Sequence, residues 1–328
     1  MVAYTDIQNA YKRIRHLIVK TPLLTSDRLN DKLGYRLFVK AEMLQRIGAF
    51  KFRGACNAIL SMSDPERPII AYSSGNHAQA VALVAKLTNH HATIIMPEDA
   101  PSAKIEGTRA YGADVVLYNR YTESREEIGS ALARKSGAEL IKPYDDVHVI
   151  AGQGTIGIEI ADQIQEHNIT PAALFCCAGG GGLISGASIA LHEPHPELDI
   201  YACEPLEFDD ITRSLQVGTK QSNDKDARSI CDAIVTPCPG DLTWPIMKAH
   251  LSGGFGISDD DALKAMQTAW RYFKIVAEPG GAVGLAAALS LEERLGQSFQ
   301  GKDVIAITTG GNVDDNMFMR ALQQKDAH

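Results

Sequence analysis

The sequence has no basic excess, no long apolar run and no paired cysteines, and each lack removes a class of function. Its 32 lysines and arginines stand against 40 aspartates and glutamates, for a formal net charge of −8. That balance argues against a phosphate-backbone binder, and no nucleic-acid partner is expected. No apolar stretch approaches membrane-spanning length, and Met1-Val2-Ala3-Tyr4-Thr5-Asp6-Ile7 holds no basic region ahead of an apolar core. Neither membrane association nor a signal peptide is expected. The six cysteines (Cys56, Cys176, Cys177, Cys203, Cys231, Cys238) form no CxxC pair and no metal-finger spacing. Buried free thiols in a reduced, cytoplasmic setting fit them. Repeats of solenoid period and low-complexity tracts are missing too.

What is present is ordinary globular composition, 45% hydrophobic and 22% charged over 328 residues, enough for two domains or one large α/β unit. Residues 5–20 carry Ile7, Tyr11, Ile14, Leu17 and Ile18 at helical spacing, ended by Thr21-Pro22. Residues 37–41 read as a strand and 56–60 as helix. From Ile69 onward, strands at 69–72, 92–96 and 114–118 alternate with helices at 77–87, 101–111 and 122–136. Such alternation predicts a parallel sheet with helices on its faces. Polar breaks at Asp64-Pro65-Glu66-Arg67-Pro68 and Pro143-Tyr144-Asp145-Asp146 mark two crossings. They divide the chain into a small α/β domain, 64–144, set into a large one made of 1–63 and 145–328. Beyond, a helix opens at Gly152 and runs to about Glu166, strands fall at 174–177, 200–203 and 304–308, and helices start at 183, 259 and 280. Residues 206–256 read as irregular.

Candidate chemistry begins at Gly48-Ala49-Phe50-Lys51-Phe52-Arg53-Gly54-Ala55. In an extended segment Phe50 and Phe52 share one face, with Lys51 and Arg53 on the other. A lysine hemmed by apolar rings loses hydration, its pKa falls, and the neutral amine can form a Schiff base. Taken by itself the octapeptide reads as a surface lysine between two buried rings; the small-residue loops downstream change that reading. Gly179-Gly180-Gly181-Gly182 follows an apolar strand and opens a helix, so several N–H groups converge on one phosphate-sized concavity. Leu183 in place of Lys-Ser/Thr rules out a Walker loop, and the spacing does not fit a dinucleotide fingerprint. A phosphate monoester is the better match. Ser73-Ser74-Gly75-Asn76-His77 offers hydroxyls, an amide and helix-start N–H groups suited to a carboxylate and a phenolic oxygen. Thr308-Thr309-Gly310-Gly311-Asn312 and Glu278-Pro279-Gly280-Gly281 are both expected to follow strands. In open α/β sheets ligands sit where the C-terminal strand ends converge.

These residues resemble the serine/threonine dehydratase and serine racemase family, pyridoxal-phosphate enzymes of the tryptophan-synthase-β fold (fold type II). The resemblance runs from Thr21-Pro22-Leu23-Leu24-Thr25 through the Lys51 segment, Ser73 to Gln79, Ala151 to Thr155 and the tetraglycine loop to Gly310-Gly311-Asn312-Val313-Asp314. It implies two open, twisted, mostly parallel sheet domains with helices on both faces, pyridoxal 5′-phosphate in the cleft between them, and a homodimer. It further implies that Lys51 forms the Schiff base and removes the substrate's α-proton, with Phe50 near the pyridine ring and Asn76 on the phenolic oxygen. Gly179, Gly180, Gly181, Gly182 and Leu183 would hold the phosphate, and Glu278, Thr309 and Gly310 would complete the cofactor site. Thr309 stands where the family usually has a serine facing the pyridine nitrogen. Ser73, Ser74, Asn76 and His77 would bind the substrate, Ser74 occupying the place from which racemases act on the opposite ring face. Glu204, the Phe208 carbonyl and Asp210 match the family's divalent-cation segment, for Mg²⁺ or Ca²⁺; read without the family, they form a solvated acidic loop.

The chain departs from the family pattern at two places: the methyl of Thr309, and Cys231-Asp232-Ala233 where many relatives have Ala-Asp-Gly. Both bear on substrate choice. The resemblance also leads us to expect no C-terminal regulatory domain. The expected activity is an L-threonine/L-serine ammonia-lyase, a small hydroxy amino acid losing water and then ammonia. The alternatives are a 3-hydroxyaspartate dehydratase or a serine racemase, and, outside catalysis, a phosphate-ligand-binding protein. A hydroxyaspartate enzyme needs a cation for the distal carboxylate, for which Arg120, Arg125 and Arg134 are the candidates.

Overall fold

In the computed structural model, which describes residues 2–100 and 102–325, the apolar runs become strands of two separate sheets. In chain order these are β1 (Leu23–Thr25), β2 (Arg36–Ala41), β3 (Ile69–Tyr72), β4 (Ala92–Pro97) and β5 (Asp114–Tyr118). They continue with β6 (Glu139–Leu140), β7 (Pro171–Cys177), β8 (Asp199–Pro205), β9 (Gly253–Ile257) and β10 (Asp303–Thr308). A six-stranded sheet has the order β1-β2-β10-β7-β8-β9, and a four-stranded sheet the order β5-β4-β3-β6. Every pairing is parallel except β1 with β2. β10 is buried along its whole length and β7 from Ala173 onward, the mark of strands covered on both faces. No helix among the described residues is long and apolar enough to cross a membrane.

The main departures from the sequence reading have local physical causes. The first helix is Tyr4–Ile14, ending well before Thr21-Pro22. Asn76–Leu87, Ser102–Ala110 and Arg125–Ser136 occupy the three expected helical places; Pro101, the expected first residue of the second, lies outside the described residues. Ser124 caps the third by accepting a bond from the Glu127 N–H at 3.2 Å. The helix read from Gly152 starts instead at Val147, because Asp146 accepts bonds from His148 and Val149 N–H. Its internal glycines serve packing: a Cβ on Gly154 would lie 2.8 Å from Gly186 O, and one on Gly186 2.3 Å from Ile150 O. Helix Gly182–His192 therefore lies backbone-close against it. Residues 206–256 are not irregular throughout; they contain helices Asp210–Val217 and Thr243–His250 and strand β9. Helix Asp259–Thr268 runs into a π-turn, Ala269–Phe273. No strand precedes Glu278, which heads helix Pro279–Ala288 with proline in its first turn. Helices Asp27–Leu33, Leu291–Leu295 and Asp315–Leu322 had no counterpart in the sequence reading.

The largest correction concerns the Lys51 segment, which is not extended. Ile47 and Gly48 adopt φ of 60° and 72°, reversing the chain so that Lys51 begins helix Lys51–Leu60. Arg53, expected on an open face, is fully buried. Its guanidinium donates to both Glu42 oxygens at 2.7 and 2.8 Å and to both Glu159 oxygens at 2.8 Å. Lys40, also fully buried, donates to Glu159 at 2.8 Å, Gln163 at 3.0 Å and Thr21 O at 2.7 Å. Two cations and two anions thus close on themselves in the core. Burial by itself would raise Glu42, but Arg53 beside it holds the carboxyl below the usual range. Arg53→Met, which keeps the bulk and leaves two carboxylates short of a partner, is expected to lower unfolding stability by about 3–5 kcal/mol. Chemical denaturation measures this, and a loss under about 1 kcal/mol would contradict the account.

Candidate active site

Three of the four small-residue loops do leave C-terminal strand ends: Ser73 after β3, Gly179 after β7 and Thr309 after β10. With the Lys51 helix start and Glu278 they face one cleft between the two sheets. Phe50, Lys51, Ser73, Ser74, Asn76 and His77 line it, as do Gly179 to Leu183, Glu278 and Thr309. Gly310 backs the wall, where a Cβ would fall 2.0 Å from Glu278 Oε1.

Lys51 Nζ donates to Pro143 O at 2.8 Å and lies 5.1 Å from the centroid of the Phe50 ring. Burial lowers this amine to about 8, against the opposite pull of Glu278. Burial likewise pushes Glu278 up to about 7, although Asn76 Nδ2 donates to it at 2.6 Å. Asn76 Oδ1 accepts from Asn312 Nδ2 at 2.8 Å, so the amide is held from both ends with one N–H left over. His77 is driven down to about 3 by burial and then by Lys51, and its Nε2 sits 3.0 Å from Ile141 O. The ring is therefore neutral with Nε2 as donor, which leaves buried Nδ1 an unpartnered acceptor. What His77 offers an anion is its backbone N–H in the first turn of helix Asn76–Leu87.

The tetraglycine loop is shaped by a residue the sequence reading used only as a crossing marker. A Cβ on Gly180 would lie 2.2 Å from the Tyr144 ring, and one on Gly182 3.0 Å from Tyr144 Cβ. Gly181 has φ of 89°, a conformation that favours glycine. Thr243 Oγ1 donates to Gly180 O at 2.7 Å and Gly240 N–H donates to it at 3.3 Å, so this carbonyl is already occupied by protein donors. Pro143 and Tyr144 follow β6, another strand end, but β6 is two residues long and gave no periodic signal.

A family model described as "Pyridoxal-phosphate dependent enzyme" matches residues 14–310. The chain belongs to that family. It is 42% identical to L-threo-3-hydroxyaspartate ammonia-lyase of Saccharomyces cerevisiae, covering 98% of this chain and 97% of that one. It is 37% identical to serine racemase of Schizosaccharomyces pombe, over 98% of this chain and 97% of the relative. Among solved structures, a threonine deaminase from T.th. superposes with a TM-score of 0.88 at 38% identity, over 95% of this chain and 99% of that chain. These likenesses bear out the expected family and the fold type II architecture.

The cleft fits the family's cofactor on its own geometry. A loop stripped of side chains against Tyr144 at a helix start suits a phosphate, and an amine of lowered pKa at Lys51 suits an aldehyde. The Cβ of Gly180→Ala would enter the Tyr144 ring, so this variant is expected to bind pyridoxal phosphate at least about 100-fold more weakly, since an off-rotamer or displaced wall removes several N–H contacts together. Fluorescence titration measures it. Tyr144→Ala in the same chain should restore part of the affinity, and no restoration would mean the glycine acts otherwise.

Glu204, Phe208 and Asp210 lie apart from this cleft. Glu204 Oε1 accepts from Ile211 N–H at 2.9 Å, and Oε2 from Thr212 N–H and Oγ1, each at 2.7 Å. The carboxylate thus tethers the start of helix Asp210–Val217 to the end of β8, which is no solvated loop. Asp210 Oδ1 accepts from Asn223 Nδ2, while Oδ2 is buried without a partner. No cluster of three or more His, Cys, Asp or Glu side chains suited to a metal occurs among the described residues. A cation here would draw on carboxylates plus backbone carbonyl oxygen, the hard donor set of Mg²⁺ or Ca²⁺.

Proposed function

We propose that this protein is a pyridoxal-phosphate dependent ammonia-lyase whose substrate is 3-hydroxyaspartate, converted to a four-carbon 2-oxo diacid and ammonia. The observation that carries the substrate choice is Arg125. Of the three arginine candidates it alone lines the cleft; Arg120 pairs with Asp99 on the surface and Arg134 is exposed. Its guanidinium lies 5.3 Å from the centroid of the Tyr72 ring, and Nε donates to Glu126 at 2.8 Å. Neither terminal nitrogen has a hydrogen-bond partner among the described residues, and a guanidinium takes a carboxylate in a two-pronged pair. The hydroxyaspartate ammonia-lyase at 42% identity supports the same reading. The L-threonine/L-serine reading, supported by the threonine deaminase structure, stands as the alternative.

When bound, the cofactor supplies an electron sink for the carbon next to the substrate's amino group. Lys51 Nζ, its pKa lowered by burial, would hold the cofactor and, once the substrate's amino group has displaced it and freed its lone pair, would take the proton from substrate Cα. Gly179 to Gly182 and Leu183 would hold the phosphate through backbone N–H groups, and the free N–H of Asn76 would serve the phenolic oxygen. Ser73, Ser74 and the His77 N–H hold the α-carboxylate. Ser74 lines the same cleft as Lys51, and its hydroxyl would return a proton in racemisation. The proton taken from Cα and the departing β-hydroxyl would together make water, and the resulting enamine, through its imine tautomer, would be hydrolysed to release ammonia.

Side-by-side kinetics on hydroxyaspartate isomers, L-serine, D-serine and L-threonine test the reading, with Arg125→Met as the partner variant. The wild type is expected to prefer a hydroxyaspartate isomer. Arg125→Met should reduce its kcat/KM about 30- to 1,000-fold, the range set by about 2–4 kcal/mol for a charge-assisted pair, and move L-serine little. Equal losses on both substrates would sink the distal-carboxylate role.

We also propose a divalent cation held by Glu204, Asp210 and the Phe208 carbonyl, supported by the unpartnered Asp210 Oδ2. Chelation should lower the melting temperature by several degrees, roughly what 1–2 kcal/mol does to a domain this size, and Mg²⁺ should restore it. A melting curve indifferent to both would remove the metal.

A further inference from the structure

Cys177 plays no part in the mechanism above, yet it lines the cleft and is only 3% exposed. It ends β7, whose register with β10 pairs Cys176 with Ile307. Cys177 follows Cys176, and Thr309 stands two residues past Ile307; their side chains meet where the two strands end. Thr309 Oγ1 has one hydrogen-bonding partner among the described residues, Cys177 Sγ at 3.1 Å. The Thr309 backbone is pinned: its carbonyl accepts from Phe50 N–H at 3.0 Å, and its N–H donates to Gly281 O at 3.2 Å. The remaining freedom is which way the hydroxyl proton points.

We infer that Cys177 is a positioning residue: its thiol donates to Thr309 Oγ1 and so leaves the Thr309 hydroxyl proton for the pyridine nitrogen of the cofactor. Two protons, on sulfur and on oxygen, face two acceptors, the oxygen and the ring nitrogen. An aromatic nitrogen accepts far better than a thiol sulfur, and a thiol S–H is a weak but adequate donor to a hydroxyl. Only one arrangement satisfies both, with S–H toward oxygen and O–H toward nitrogen. Beside two buried side chains, the reverse choice would leave the ring nitrogen facing a lone pair, which is costly. The neighbouring thiol makes no hydrogen bond to Thr309: Cys176 Sγ donates to Cys177 O at 3.4 Å. It therefore serves as a control of equal burial on the same strand.

The inference rests on the cofactor site proposed above and not on the choice of substrate. The test uses holoenzymes of Cys177→Ala, Cys177→Val, Cys177→Ser, Cys176→Ala, Thr309→Ala and the Cys177→Ala/Thr309→Ala pair. Readouts are the absorbance and fluorescence bands of the bound cofactor and its dissociation constant. Alanine and valine, which lack the donor, should change the band ratio and weaken binding about threefold to tenfold, the span of one neutral hydrogen bond. Valine fills the space should the smaller side chain prevent folding. Serine should keep the wild-type spectrum, as should Cys176→Ala. The double variant should bind no more weakly than Thr309→Ala alone, because the two groups act as a unit. Wild-type spectra and affinity in both donor-free variants, a serine variant that behaves like alanine, or additive losses in the pair would each overturn it. A wild-type chain that takes up no cofactor would overturn the cofactor site as well, which separates the two failures.

Discussion

The buried group of Lys40, Glu42, Arg53 and Glu159 constrains everything around the cleft. Arg53 stands two residues past Lys51, so whatever fixes its guanidinium also fixes where the Lys51 side chain begins. Glu42 comes from the turn after β2 and Glu159 from the helix Val147–Glu166, elements far apart in the chain. The pairs satisfy each other completely, which is the condition for carrying charge in a core. A glutamate lost from either side would free the helix start and blur the reach of the amine across the cleft.

From that anchor the site follows as a problem of backbone access. Gly180 and Gly182 face Tyr144 too closely for any side chain, and Gly310 lies against Glu278 in the same way. Bare backbone on two sides leaves N–H groups and small polar side chains as the contacts available to a ligand. Burial then moves the titrating groups toward neutrality: Lys51 down, Glu278 up, and the Tyr144 phenol up to about 12. His77 is held as a neutral ring. The cleft therefore offers hydrogen bonds and an ionisable amine and glutamic acid near their titration points, with Arg125 as a fixed cation at its edge. A site of this kind holds an anionic, conjugated ligand and lets one amine exchange a proton.

The three strand-end loops and both sheets were legible in the sequence because their signals are local. An apolar run followed by four glycines announces itself within about a dozen residues, and so does a serine-rich turn before a helix. Residues 206–256 were harder. Helix Asp210–Val217 is eight residues long and begins on a tether to Glu204; β9 is glycine-rich and half-buried, so neither shows a clear period. The Lys51 segment misled for another reason. Alternating aromatic and basic residues suggest a strand, but the left-handed turn at Ile47 and Gly48 and the buried pairing of Arg53 impose a helix.

By itself, then, the sequence determined the alternating strands and helices, the tetraglycine loop at a strand end and the family, all of which depend on residues close together in the chain. Only the tertiary structure decided which arginine reaches the cleft, that Arg53 is a core cation, that Tyr144 walls the tetraglycine loop, and that Cys177 meets Thr309. Each of those depends on side chains from elements well separated in the chain, such as Cys177 and Thr309 at a separation of 132. Contacts at such distances are set by how helices and strands pack, and a linear pattern holds no record of the packing.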